Sequence, residues 1–153
     1  MNTTKLSTLI LSASMLMAGA SVQAGDYPPI GSQSFSSLIK SVEAMDLGQI
    51  IEAEFDDDVF EVKVCRSQRS CYELKLNPRT GSEISRKADD TSEILPPADA
   101  MSLSAIIESV EARDLGTITE AELDDGVWEI EIRGLGIKTK LKIDPITGEQ
   151  TAG

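Results

Sequence analysis

Carboxylates dominate the side chains of this chain that could do chemistry. Glu52 and Glu54 are separated by one residue, as are Glu120 and Glu122, and Asp56-Asp57-Asp58 and Asp124-Asp125 follow the two pairs. Paired carboxylates can serve as acid and base or nucleophile in glycoside hydrolysis. Clustered aspartates supply the hard oxygen ligands that suit Ca²⁺. The chain has no histidine, which removes the commonest general base and the commonest transition-metal ligand. Its two cysteines, Cys65 and Cys71, have the wrong spacing for a zinc knuckle and no further soft ligands to complete one.

The elements that carry these residues decide between the readings. Ile51, Ala53 and Phe55 alternate with Glu52 and Glu54, and Ala121 and Leu123 alternate with Glu120 and Glu122, which is the pattern of half-buried strands. The acids therefore line the wet face of a sheet, where neighbouring carboxylates seldom acquire the shifted pKa values that catalysis needs. The few aromatic residues fall mostly on the inward parity, so no sugar platform accompanies the acids. Asp56, Asp57, Asp58, Asp124 and Asp125 lie between strands, where aspartate serves turns through its own hydrogen bonding, and their spacing is not that of an EF-hand. These expectations give no catalytic residue, no cofactor and no enzyme. Ca²⁺ binding through the two aspartate turns is the alternative.

Charge narrows the partners. Acids outnumber bases 26 to 14, for a net charge of −12, which argues against nucleic acid or an anionic membrane surface as a ligand. Residues 1–24 read as a secretory signal peptide: Lys5 gives a charged start, Leu6–Ala20 is apolar or small, and Val22-Gln23-Ala24 sets up a cut near Ala24-Gly25. The expected location is periplasmic or secreted, with no membrane insertion after cleavage. Oxidising compartments favour a disulfide, so Cys65 and Cys71 are expected to pair across a hairpin.

Much of the remaining chain occurs twice. Val42-Glu43-Ala44, Asp46-Leu47-Gly48, Glu52-Ala53-Glu54 and Asn77-Pro78-Arg79-Thr80-Gly81 return as Val110-Glu111-Ala112, Asp114-Leu115-Gly116, Glu120-Ala121-Glu122 and Asp144-Pro145-Ile146-Thr147-Gly148. Each copy opens with a helical stripe, Phe35, Leu38, Ile39 and Val42 or Leu103, Ile106, Ile107 and Val110. Ser34 or Ser36 is the expected cap of the first helix, and Gly48 and Gly116 stand where a glycine would stop each one. Three strands follow in each copy. In the second copy Glu129 and Glu131 face outward on one strand and Lys138, Lys140 and Lys142 on the next, which predicts cross-strand ion pairs of about 0.2–1 kcal/mol each.

The order of helix, glycine, Glu-Ala-Glu strand, acidic turn, aromatic-led strand, basic strand and Asp-Pro-x-Thr-Gly resembles the PepSY family. The matching residues are Ala121-Glu122-Leu123, Trp128-Glu129-Ile130-Glu131-Ile132 and Ile143-Asp144-Pro145-Ile146-Thr147-Gly148-Glu149. The first copy departs from the pattern at Asn77, where aspartate is usual, and in its cysteine-bearing loop. The resemblance implies a non-catalytic module of the kind thought to inhibit peptidases or regulate envelope proteins, here acting in trans on a protein partner.

The expected fold is α+β: two repeated PepSY-like modules, each one helix packed on a three-stranded antiparallel sheet. They occupy 34–84 and 101–153, after a lead-in at 25–33 and separated by a linker at 85–100. The expected partner surface comprises Glu52, Glu54, Glu120, Glu122, Glu129, Glu131, Lys138, Lys140 and Lys142.

Overall fold

A serine starts each helix. Ser34 and Ser102 accept a hydrogen bond from the backbone N–H three residues on, at Ser37 and Ala105, and the two helices that follow have nine residues each. The computed structural model describes residues 27–152, so the signal peptide expected at 1–24 and its cut near Ala24-Gly25 lie outside the described residues. The elements run α1 (Phe35–Glu43), β1 (Gln49–Asp56), β2 (Val59–Ser67), β3 (Ser70–Leu76), β4 (Glu83–Asp89), α2 (Leu103–Glu111), β5 (Thr117–Asp124), β6 (Val127–Gly134) and β7 (Ile137–Ile143).

The seven strands form one antiparallel sheet in the order β4-β3-β2-β1-β5-β6-β7. This overturns the expectation of two separate modules of one helix on three strands. Two features produce the difference. β1 pairs with β5 at Glu52–Glu122, Ala53–Ala121 and Glu54–Glu120, which fuses the strands of both halves into one sheet. A seventh strand, β4, comes from a stretch expected to be mostly linker and pairs with β3 from Cys71 to Leu76. β4 has no apolar period because it is an edge strand with six of its seven residues exposed.

Both helices lie on one face, and their apolar stripes meet the inward residues of all the central strands in one core. Phe35, Phe55 and Phe60 stack edge-on or tilted, with centroids 5.0–5.7 Å apart. Leu103, Leu123 and Trp128 take the corresponding places in the other half, exchanging three phenylalanine rings for two leucines and one larger ring at similar total volume. Burying each such side chain is worth about 1.5–3 kcal/mol. Half of this core would be marginal alone.

The helices also hold one another. Glu111, at the end of α2, accepts from the backbone N–H and hydroxyl of Ser36 at 3.1 and 2.6 Å. Glu43, at the end of α1, accepts from the backbone N–H of Ser104 at 3.1 Å. Each helix thus presents a carboxylate to the positive N-terminus of its antiparallel neighbour, and Lys40 pairs with Glu108 between them.

Contrary to the expectation from sequence, Gly48 and Gly116 do not end the helices. The helices close at Ala44 and Ala112, and the left-handed residues after them are Asp46 and Asp114. The glycines sit at φ of 137° and 139°, where an added Cβ would lie 2.4 Å from the carbonyl of Cys65 and 2.6 Å from that of Arg133. They allow the chain to cross close over the neighbouring strand.

Strand parity needs a second correction. Bulges in β1 and β5 turn Ile51 and Thr119 onto the face opposite the helices, and Ile50 and Ile118 enter the core. Ile51 packs there with Cys65, Cys71 and Leu95. The two cysteines are register partners of β2 and β3 and form the expected disulfide. They are buried, although on the outward parity, because the segment after β4 crosses this face. Glu93 N–H donates to the Gln68 carbonyl, and Gln49 Nε2 donates to the Pro96 carbonyl.

Two stability outcomes follow. Replacing both Cys65 and Cys71 by serine should lower unfolding free energy by about 2 kcal/mol, the loop-closure value for so short a ring, read from urea midpoints. Glu111→Ala should cost about 1–2 kcal/mol through its lost capping bonds. A Glu111→Ala midpoint equal to wild type would remove the interhelical cap from the account.

Candidate functional site

The face opposite the helices is where the carboxylates collect, and the β1–β5 pairing places them. Glu52 stands directly across from Glu122 and Glu54 directly across from Glu120, at the centre of the sheet. On the other side of the same three residue pairs lie Ala53 and Ala121, both fully buried beneath the helices. Like charges directly opposite destabilise a strand pair, so this seam contains four acids where neutral residues would pair better.

The seam's electrostatics show the effect. Burial first, then the carboxylates of Glu52 and Glu120, push Glu54 up to about 7. Burial and the facing Glu122 raise Glu52, with Lys63 opposing. Burial, then contact with Glu131, raises Glu120. Three shallow furrows flank the seam, the largest of about 280 Å³ lying between Glu52, Glu93 and Glu122. A second, of about 210 Å³, is bordered by Glu52, Glu54, Glu61, Lys63 and Glu73. The third, of about 140 Å³, lies among Glu54, Glu120, Glu131, Arg133 and Lys138.

Away from the seam the charges are paired. Glu129 receives Lys140 at 3.0 Å and Lys142 at 2.9 Å, which holds its carboxyl below the usual range against a small burial effect. Glu131 is only 2% exposed. Its Oε1 accepts from Thr119 Oγ1 at 3.1 Å and Arg133 Nε at 3.0 Å, and its Oε2 lies 2.5 Å from Lys138 Nζ. Burial would raise this carboxyl, but these donors outweigh burial and hold it down. In the first half Glu61 pairs with Lys75, and Lys63 is clamped between Asp89, at 2.9 Å, and Glu93.

The structure therefore sorts the nine residues of the expected partner surface into two groups. Glu52, Glu54, Glu120 and Glu122 converge without facing cations across the seam, whereas Glu129, Glu131, Lys138, Lys140 and Lys142 neutralise one another. Lys63, Asp89 and Glu93 were missed. Lys63 carried a signal in its outward parity, but Glu93 lies in a stretch without period.

The aspartates proposed for Ca²⁺ fall elsewhere. Asp57-Asp58 and Asp125-Gly126 are the two-residue tips of the β1–β2 and β5–β6 hairpins, with Asp57, Asp125 and Gly126 at positive φ. Because β1 and β5 are antiparallel, these tips lie at opposite ends of the sheet. Among the described residues no group of three or more Asp, Glu, His or Cys side chains is arranged to hold a metal ion.

The Asp-Pro-x-Thr-Gly turns are also built into the scaffold. Asp144 Oδ1 accepts from the N–H groups of Ile146 and Thr147 at 2.8 and 3.0 Å, which lowers its pKa. Asn77 makes the same two bonds without charge. The Pro78 and Pro145 carbonyls then accept from Gln33 and Met101, just ahead of each helix.

No family model matches this chain, and no curated protein matches it. The resemblance to PepSY thus rests on the residues quoted above. Among solved structures, a "putative lipoprotein" from Clostridium difficile 630 is similar at 17% identity and a TM-score of 0.48, over 86% of this chain and 94% of that one. A likeness at that level assigns neither family nor activity.

The seam carries a pH prediction. Glu54 has a higher pKa folded than unfolded, so the native state binds the extra proton and stability falls as pH rises from about 4.5 to about 7. Glu129, Glu131 and Asp144 are shifted down and lose their contributions as pH falls below the ordinary carboxylate range. Thermal midpoints should peak near the lower end of that interval. Glu54→Gln should raise the midpoint at pH 8 and flatten the decline; a variant curve parallel to wild type would remove Glu54 from the effect.

Proposed function

We propose that this protein is an exported, non-catalytic protein-binding module whose acidic seam receives a cationic segment of its partner. The observation that carries the reading is the opposition of Glu52 to Glu122 and of Glu54 to Glu120 at the junction of the two halves. The glutamates that β2 and β6 set beside the seam, Glu61, Glu129 and Glu131, are each ion-paired to lysine or arginine. Lys63, which faces Glu52 from β2, is held by Asp89 and Glu93. Local rules are broken at functional sites more often than elsewhere, and a partner's lysine or arginine would relieve the seam's repulsion and deprotonate Glu54.

The furrows' modest volumes favour a surface contact over a small-molecule site, which typically encloses about 300–1,000 Å³. The buried disulfide fits an oxidising compartment. Inhibition of a peptidase in trans, the activity implied by the PepSY resemblance, is a narrower form of the same reading.

The test uses the mature protein and a lysine- and arginine-rich probe peptide, followed by calorimetry. Binding should weaken about tenfold or more when Glu52, Glu54, Glu120 and Glu122 are all changed to glutamine. It should also weaken as salt rises from about 0.02 to about 0.2 M. Equal affinity in the quadruple variant would sink the seam as the contact surface.

A further inference from the structure

The two ends of the sheet are finished differently. In the first half, β3 has β4 along its outer edge from Cys71 to Leu76. In the second half, β7 occupies the corresponding place. Among the described residues its outer edge meets the isolated bridge from Ile143 to Gln150 and the bonds from Thr151 N–H and hydroxyl to the Lys142 carbonyl. From Ile137 to Leu141, no described strand pairs with this edge.

The direction of the unpaired groups follows from the hairpin. Gly134 and Ile137 flank the two-residue turn Leu135-Gly136, so they form a hydrogen-bonded pair, and alternation turns the backbone groups of Ile137, Thr139 and Leu141 toward β6. Those of Lys138, Lys140 and Lys142 point away from the sheet. The outward bond accepted by the Lys142 carbonyl agrees with this parity.

Apolar surface adjoins the open edge. Leu135 is fully exposed at 103% and Ile137 is 66% exposed. Leu135 also holds a φ of 51°, where asparagine or glycine is the usual occupant of such a turn. An exposed leucine in that conformation adds nothing to this fold.

The edge residues also discriminate among occupants. Any antiparallel pairing of β7 with β7 of a second copy that keeps the wet faces aligned puts lysine opposite lysine, because Lys138, Lys140 and Lys142 occupy every wet-face position from 138 to 142. An acid-bearing strand meets the opposite situation. The three lysine side chains are about half exposed, and each ammonium has donors beyond those used by Glu129 and Glu131.

We propose that the open edge of β7 is a strand-addition site for an extended protein segment that alternates acidic and apolar residues. The acids would lie beside Lys138, Lys140 and Lys142, and the apolar residues beside Ile137 and Leu135. β6, with Trp128-Glu129-Ile130-Glu131-Ile132 on the other side of β7, shows the pattern this strand accepts. The site is separate from the acidic seam and takes a partner segment of opposite charge.

The test is residue-resolved amide exchange of the mature protein with three acetylated probe peptides the length of β7. One alternates glutamate and valine, one alternates lysine and valine, and one is the glutamate peptide N-methylated throughout. The glutamate peptide should slow exchange at Lys138 and Lys140 by about tenfold or more, and the other two should not. It should do the same in the variant with Glu52, Glu54, Glu120 and Glu122 changed to glutamine. Absence of protection at saturation would overturn the proposal, as would equal protection by the lysine peptide or loss of protection in that variant. Protection that grows with protein concentration alone would assign the edge to a second copy and overturn it as well.

Discussion

Three residue pairs between β1 and β5 hold the two halves in one sheet, and the rest of the molecule is arranged around what those pairs allow. On the inner side they present Ala53 and Ala121, both fully buried. Side chains so small leave room for α1 and α2 to sit side by side over the junction, close enough for Glu43 and Glu111 to reach the opposite helix N-termini. On the outer side the same pairs oppose four glutamates. The junction is held from above by apolar packing and exchanged caps, and it is opposed from below by charge.

That division explains why one sheet forms instead of two modules. Each half has a complete helix stripe and three strands, yet a core of that size stabilises little on its own. Joining β1 to β5 makes the core continuous from Phe60 to Trp128 and satisfies the backbone edges of two strands that would otherwise be open. Repulsion among partly solvated carboxylates amounts to far less than the burial of a helix face. The seam can therefore stay acidic without breaking the sheet.

The elements whose signal is local were legible in the sequence. Both helix stripes, the serine cap of the first helix, six of the strands, the disulfide and the lysine–glutamate pairs of β6 and β7 depend on spacings of a few residues. Those that depend on distant pairing were not. Parity placed Glu52 and Glu122 on a wet face, but only the β1–β5 register puts them opposite one another. The bulges at Ile51 and Thr119 each insert a residue into one strand and reverse the parity on either side, which alternation alone cannot register. β4 was hidden for a different reason: an exposed edge strand buries nothing, so it has no period to read.

The two halves share a scaffold but not a finish, and the difference is in what covers them. The first half has β4 along its edge, a strap across its outer face and a disulfide beneath the strap. In the second half no described strand covers most of the corresponding edge, Tyr27 stacks on Arg133 at the corresponding face, and the buried charge is held by local donors around Glu131. Covering one edge and exposing the other turns a nearly symmetric sheet into a polar one, closed at β4 and open at β7. A stability requirement alone would treat both ends alike, since the same edge exposure carries the same aggregation hazard at each. Lysines at alternate positions of β7 answer that hazard for like copies while keeping the edge available to a strand of opposite charge.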